Sequence, residues 1–138
     1  MALPKAVRRL VPDRIRDHRR LRPLALRLGL VPPRSMHTEA EAALLAELAG
    51  GRRRVMEIGV YEGASAIALT EALPRDAELH LVEPFGEGPW PDLFSPANEK
   101  ATRSLVERAA RRRGGPRLVW HVATSEEAAR RWEGPLDL

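Results

Sequence analysis

Val55-Met-Glu-Ile-Gly-Val-Tyr-Glu-Gly-Ala-Ser65 joins a short apolar run to a helical pattern through a turn bracketed by Gly59 and Gly63. Val55 to Ile58 reads as a buried strand carrying one acid, Glu57, and Ala64 to Leu73 continues with helical spacing. A turn of this kind lets backbone N–H groups and a helix N-terminus approach a ligand closely. Working outward, the pattern predicts strand 53–58, helix 63–73, strand 78–83, a Gly/Pro-rich loop over 84–97, a helix over 97–113, strand 117–122 and a helix over 125–132. Upstream, Thr38 to Ala49 is a helix opened by a capping box, Thr38 and Glu41, and closed by Gly50-Gly51. There are no internal repeats. Strand and helix alternate, which predicts an α/β fold: a Rossmann-like open parallel sheet with flanking helices and right-handed connections.

About twenty residues after the turn, Leu79-His-Leu-Val-Glu83 reads as a second strand ending in an acid. A carboxylate there can accept both hydroxyls of a ribose, as in nucleotide-binding α/β folds. The two halves together point to a nucleoside-containing cofactor. A dinucleotide fingerprint needs a glycine at the middle position to clear a pyrophosphate, and here that position is Tyr61. A phosphate-cradling loop needs Gly-Lys-Ser/Thr, and the chain has no such tripeptide. What remains is Glu57-x-Gly59-x-x-x-Gly63 followed by Glu83-Pro84-Phe85.

This pair resembles the first and second motifs of class I S-adenosylmethionine (SAM)-dependent methyltransferases, of the small bacterial catechol-O-methyltransferase-like type, from about Met36 to the C-terminus. By that resemblance Glu57 would sit near the methionine amino group, Gly59, Val60, Tyr61 and Gly63 would wrap the methionine moiety, Ser65 would approach its carboxylate and Glu83 would hold the ribose. Thr124 and Ser125, after the third strand, match the position that borders the adenine. The activity implied is methyl transfer to an oxygen of a small-molecule acceptor, with the catalytic base unassigned. A nicotinamide-dependent oxidoreductase fragment and a non-catalytic interaction module remain as rivals. Pro135-Leu-Asp-Leu138 reads as the start of a fourth strand, so the sequence is expected to hold an incomplete cofactor-binding part, inactive alone. In the family it resembles, the fourth strand lies beside the first. The first strand is therefore expected to be an open edge that invites self-association.

Other residues carry plainer readings. Glu62 is expected to face solvent, and Tyr61 either covers the strand or touches a ligand. His80 alternates with apolar neighbours as a partly buried strand residue. His121 stands near the ligand end of its strand, where core or rim packing competes with a role in the site. His37 marks helix entry or stands beside the cofactor. Four histidines without paired spacing and no cysteine argue against a metal site.

Composition bounds the class. The chain has 138 residues, 43% hydrophobic and 30% charged, a one-domain size. No apolar run approaches a membrane span of ~20 residues, and Arg and Pro interrupt any signal-peptide core. The lack of cysteine fits a cytoplasmic location. Two regions differ in charge: residues 1–34 carry a net of +8, residues 35–138 a net of −4. The chain therefore divides into a basic amphipathic leader, 1–34, and a cofactor-binding part, 35–138. Pro12, Pro23 and Pro32-Pro33 cut the leader into short helical pieces. Such a leader fits weak contact of residues 1–30 with an anionic membrane surface, binding to an acidic partner, or an arm packed beside the cleft. It has no aromatic residue for base stacking, which weighs against nucleic acid.

Overall fold

Three five-residue strands, β1 (Arg54–Ile58), β2 (Glu78–Val82) and β3 (Arg117–His121), pair in parallel in the order β1-β2-β3. The structure is a computed structural model and describes residues 12–86 and 96–138. Lys5, Arg8 and Arg9 of the leader, and most of the Gly/Pro-rich loop, lie outside the described residues. Among the described residues six helices accompany the strands: α1 (Asp13–Arg16), α2 (Arg22–Arg27), α3 (Glu39–Ala49), α4 (Ala64–Ala72), α5 (Pro96–Arg113) and α6 (Ser125–Arg131). The fold is α/β, with helices flanking an open three-stranded parallel sheet and a helix between successive strands.

Register is unshifted along both ladders, with Val55 opposite Leu79 and Leu79 opposite Leu118. Side chains alternate across a strand, so Val55, Leu79, Leu81, Leu118 and Trp120 share one face. They pack with Val60, Ala66, Leu69, Leu73 and Val106 in the main core. Leu79 and Leu81 are sealed completely, and burying each side chain is worth about 1.5–3 kcal/mol. On the opposite face, His80 and His121 stand with rings stacked at 5.3 Å, and Trp132, just after α6, meets His80 edge-on at 4.7 Å. Burial lowers the tendency of His80 to take up a proton, in keeping with its reading as a strand residue.

Gly63 precedes α4 at φ +87°, and a Cβ there would lie 2.8 Å from the Val106 side chain of α5. That glycine lets the long helix press directly on the turn. The capping box at Thr38 and Glu41 forms as the spacing predicts. At the sheet's edge β1 is not bare. Asp137 N donates to Arg54 O (2.8 Å), Met56 N donates to Leu138 O (2.9 Å), and the Asp137 carboxylate accepts from the amides of Arg53 and Arg54. The expectation of an open first strand is corrected to that extent.

The leader is built into the fold over its described part. Pro23 sits in the first turn of α2, where proline is tolerated, and so helps to start the helix. Ala25, Leu26 and Val31 pack on Ala101 of α5 as a second apolar cluster. Beside them Arg22 closes on Glu62 through two bonds, Nε to Oε1 and Nη2 to Oε2, each 2.6 Å. Glu62 was expected to face solvent; it is 7% exposed and buried against the arm. The Arg34 amide also donates to Glu62 Oε2 at 2.6 Å, and Arg22 Nη1 donates to Arg16 O at 2.8 Å. Removing one member of a buried, hydrogen-bonded pair leaves the other charge uncompensated, at a cost of about 3–5 kcal/mol. Arg22→Ala is therefore expected to lower the unfolding free energy by about 3 kcal/mol or more in urea titration; a loss under about 1 kcal/mol would mean the arm is not held by this pair.

Candidate functional site at the C-terminal ends of the strands

Parallel strands deliver their last residues to one end of the sheet, the usual ligand side of such folds. Here the ladder runs past β1 and β2, since Gly59 N donates to Val82 O (2.9 Å) and Glu83 N to His121 O (3.0 Å). Glu57 and Glu83 are thereby brought to the two sides of the Gly59–Gly63 turn. Glu83 is 2% exposed, and its Oε2 accepts both the Val60 amide at 2.9 Å and the Tyr61 amide at 2.8 Å. The second-strand acid thus braces the turn from below.

The turn has strained geometry that this brace helps to hold. Tyr61 lies at φ +53°, a left-handed conformation uncommon for a bulky residue. Its carbonyl accepts from Thr102 Oγ1 at 3.0 Å, so α5 fixes it from the other side. The Tyr61 side chain points to the leader, lining a cavity of about 230 Å³ with Arg22, Arg34, Glu62 and Asn98. A hydrogen bond with Tyr61 is the leading reason that Arg34 holds its proton more firmly than usual. Gly59 is at φ +87° with open space where a Cβ would stand, unlike Gly63 with its crowded neighbours. Val60 buries its side chain in the core, leaving only its backbone on the turn.

Glu57 is the least satisfied group in the site. Ser65 Oγ donates to its Oε1, while Oε2 is shut off from solvent and has no hydrogen-bond partner. The residue as a whole is only partly buried, so the unmet need belongs to that one oxygen. Desolvation pushes the carboxyl from 4.5 up to about 7; the Ser65 hydroxyl opposes the shift, and the nearby Glu83 adds to it. Ser65, expected to approach a ligand carboxylate, is engaged by Glu57.

Thr124 and Ser125 stand at the same end of the sheet, where β3 runs into α6. Thr124 is the N-cap of α6 in a capping box with Glu127, its Oγ1 accepting from Glu127 N at 3.3 Å. No described contact joins Thr124 or Ser125 to the two acids. His37 lies before α3, its Nδ1 3.3 Å from Thr38 O, in the helix-entry role. No group of three or more His, Cys, Asp or Glu among the described residues is placed to hold a metal ion. No described helix is long and apolar enough to cross a membrane. Sequence reading missed the Arg22–Glu62 pair and the bonds from Glu83 to the turn amides. A helical wheel over 21–28 would have signalled the first, because it puts Arg22 on the side of Ala25 and Leu26.

No protein-family model matches this chain, and no curated protein is detectably similar to it.

Glu57 gives a pH test of this geometry. An unfolded carboxyl releases its proton near 4.5, whereas folded Glu57 keeps it to about 7. Its contribution to stability is fully present below pH 4.5 and is lost as pH rises to about 7. Relative to Glu57→Gln, the native protein should therefore lose on the order of 3 kcal/mol across that window, measured by urea unfolding at several pH values. Parallel stability curves for the two proteins would show that Glu57 titrates normally.

Proposed function

We propose that this chain binds S-adenosylmethionine at the C-terminal ends of β1 and β2, as the cofactor-binding part of a class I methyltransferase with a Rossmann-like sheet. The observation that carries this reading is the placement of two acids, the buried Glu83 and the partly buried Glu57 with its one shielded oxygen, on either side of a glycine turn. Such a site repels phosphates. It favours a ligand that combines positive charge with a ribose, which supports SAM over a dinucleotide. Tyr61, where a pyrophosphate-binding turn needs glycine, supports the same choice.

The roles follow from the atoms available. Glu57 Oε2 would accept from the ligand's ammonium group, and a cation there would draw off the proton that burial holds on the carboxyl. Glu83 would keep the turn amides on Oε2 and meet the ribose hydroxyls with its other oxygen. The open side of Gly59 would admit the methionine moiety at van der Waals distance. Thr124 and Ser125 would border the adenine through backbone and side-chain edges not engaged in the cap. Bound SAM supplies an electrophilic methyl group. The chain's own residues bind and orient it, so catalysis would rest on positioning a small-molecule oxygen acceptor in line. No residue among those described is assigned as the base for that acceptor.

Isothermal titration calorimetry with S-adenosylhomocysteine tests the proposal on the chain as it stands. One-to-one binding is expected, undisturbed by NADH. Glu57→Gln and Glu83→Gln should each weaken it by about tenfold or more, that is about 1.4 kcal/mol, with thermal melts confirming that both variants fold. Absence of binding, or displacement by NADH, would overturn the assignment.

A further inference from the structure

Helix α2 carries two apolar faces, and among the described residues only one of them is covered. Backbone dihedrals are helical at both flanking residues, Leu21 and Leu28, so the eight positions 21–28 share one helical frame. At about 100° per residue, Arg22, Ala25 and Leu26 fall together on the side packed against α5 and the turn. Leu21, Leu24 and Leu28 fall within an arc of about 60° on the adjoining, exposed side. They are 43%, 53% and 56% exposed. Arg27 and Arg20, both exposed, fall along one margin of that arc, Arg20 through the helical turn that Arg22 N closes on His18 O at 2.8 Å. Arg108 of α5 extends the basic margin, its guanidinium donating to Arg27 O at 2.8 Å.

The charge around this face is not neutralised by the arm's own acids. Asp17 is bonded to Arg34 at 2.6 Å, and Asp13 lies 3.9 Å from Arg16. The described part of the arm, residues 12–34, carries seven arginines against those two aspartates. A row of leucines edged by arginines, on a helix whose inner side is already fixed to a rigid body, has the chemistry of a surface-lying membrane contact. The leucines can enter the acyl boundary while the guanidinium groups remain among anionic headgroups.

We infer that the outer face of α2, Leu21, Leu24 and Leu28 with Arg20 and Arg27, docks this protein on an anionic lipid surface. The buried Arg22–Glu62 pair would hold the helix flat against the body, so that the face is presented ready-made. Deleting the arm would remove Arg22 from Glu62 and confuse docking with unfolding. Point variants on the outer face avoid this.

The experiment is co-sedimentation of the full chain with vesicles of phosphatidylcholine alone or mixed with phosphatidylglycerol, at low and high salt. Binding is expected to the mixed vesicles only, and to weaken in high salt. A Leu24→Asp/Leu28→Asp variant, with an unchanged circular dichroism spectrum and melt, should lose binding by about tenfold or more. Arg20→Glu/Arg27→Glu, which keeps the leucines, should do the same. Equal binding to neutral vesicles, no binding at all, or binding indifferent to both variants would overturn the inference. Size-exclusion chromatography adds a further arm: a dimer abolished by the leucine variant, without vesicle binding, would assign the face to a second copy and overturn it too.

Discussion

The carboxylate of Glu83 receives two adjacent amides, those of Val60 and Tyr61, and the end of the sheet that carries the glycine turn depends on that contact. It ties the end of β2 to the turn that follows β1. The left-handed turn at Tyr61 is thereby held by an anion buried beneath it and by α5 from the side. Without such a brace the turn amides would face the sheet's end unpaired, and buried unpaired donors are costly. The same contact sets the charge of the site. It fixes one acid near the partly buried Glu57, whose second oxygen is left without a donor.

The arm and the turn form a continuous polar network. Glu62 belongs to the turn, yet its oxygens bond to Arg22 and to the Arg34 amide. Val60 on one side of Glu62 enters the core, while Gly63 on the other lets α5 approach. In this stretch neighbouring residues serve the core, the leader and the sheet end in turn. Pairing Glu62 with an arginine is what lets an acid lie between two packed layers, because one guanidinium edge of Arg22 and a main-chain amide give both its oxygens a donor.

The sheet was legible in the sequence because its signals are local. Apolar runs, glycine punctuation and the Thr38–Glu41 spacing each act over a few residues, and the elements fall within a residue or two of their expected bounds. The grouping of Glu57 and Glu83 at one sheet end was legible too, since parallel order fixes which strand ends meet. Glu62 was misread for a physical reason. An acid at a turn is ordinarily solvated, and its partner lies forty residues upstream in a segment that reads as a basic amphipathic leader. The double use of Glu83 was hidden similarly: strand-end acids look alike in sequence whether they face a ligand or the protein's own amides. Ser65 turning to Glu57 follows from desolvation, which single-sequence patterns do not report.

The tail beside β1 has a practical consequence. Leu138 O is hydrogen-bonded to Met56 N, the residue immediately before Glu57, and Asp137 is bonded through backbone and side chain to residues 53 and 54. Arg54 in turn rests over Trp132 at 4.8 Å and donates to the carbonyls of Glu133 and Pro135. A change at Asp137 therefore reaches the strand that places Glu57, through contacts that lie outside the site itself.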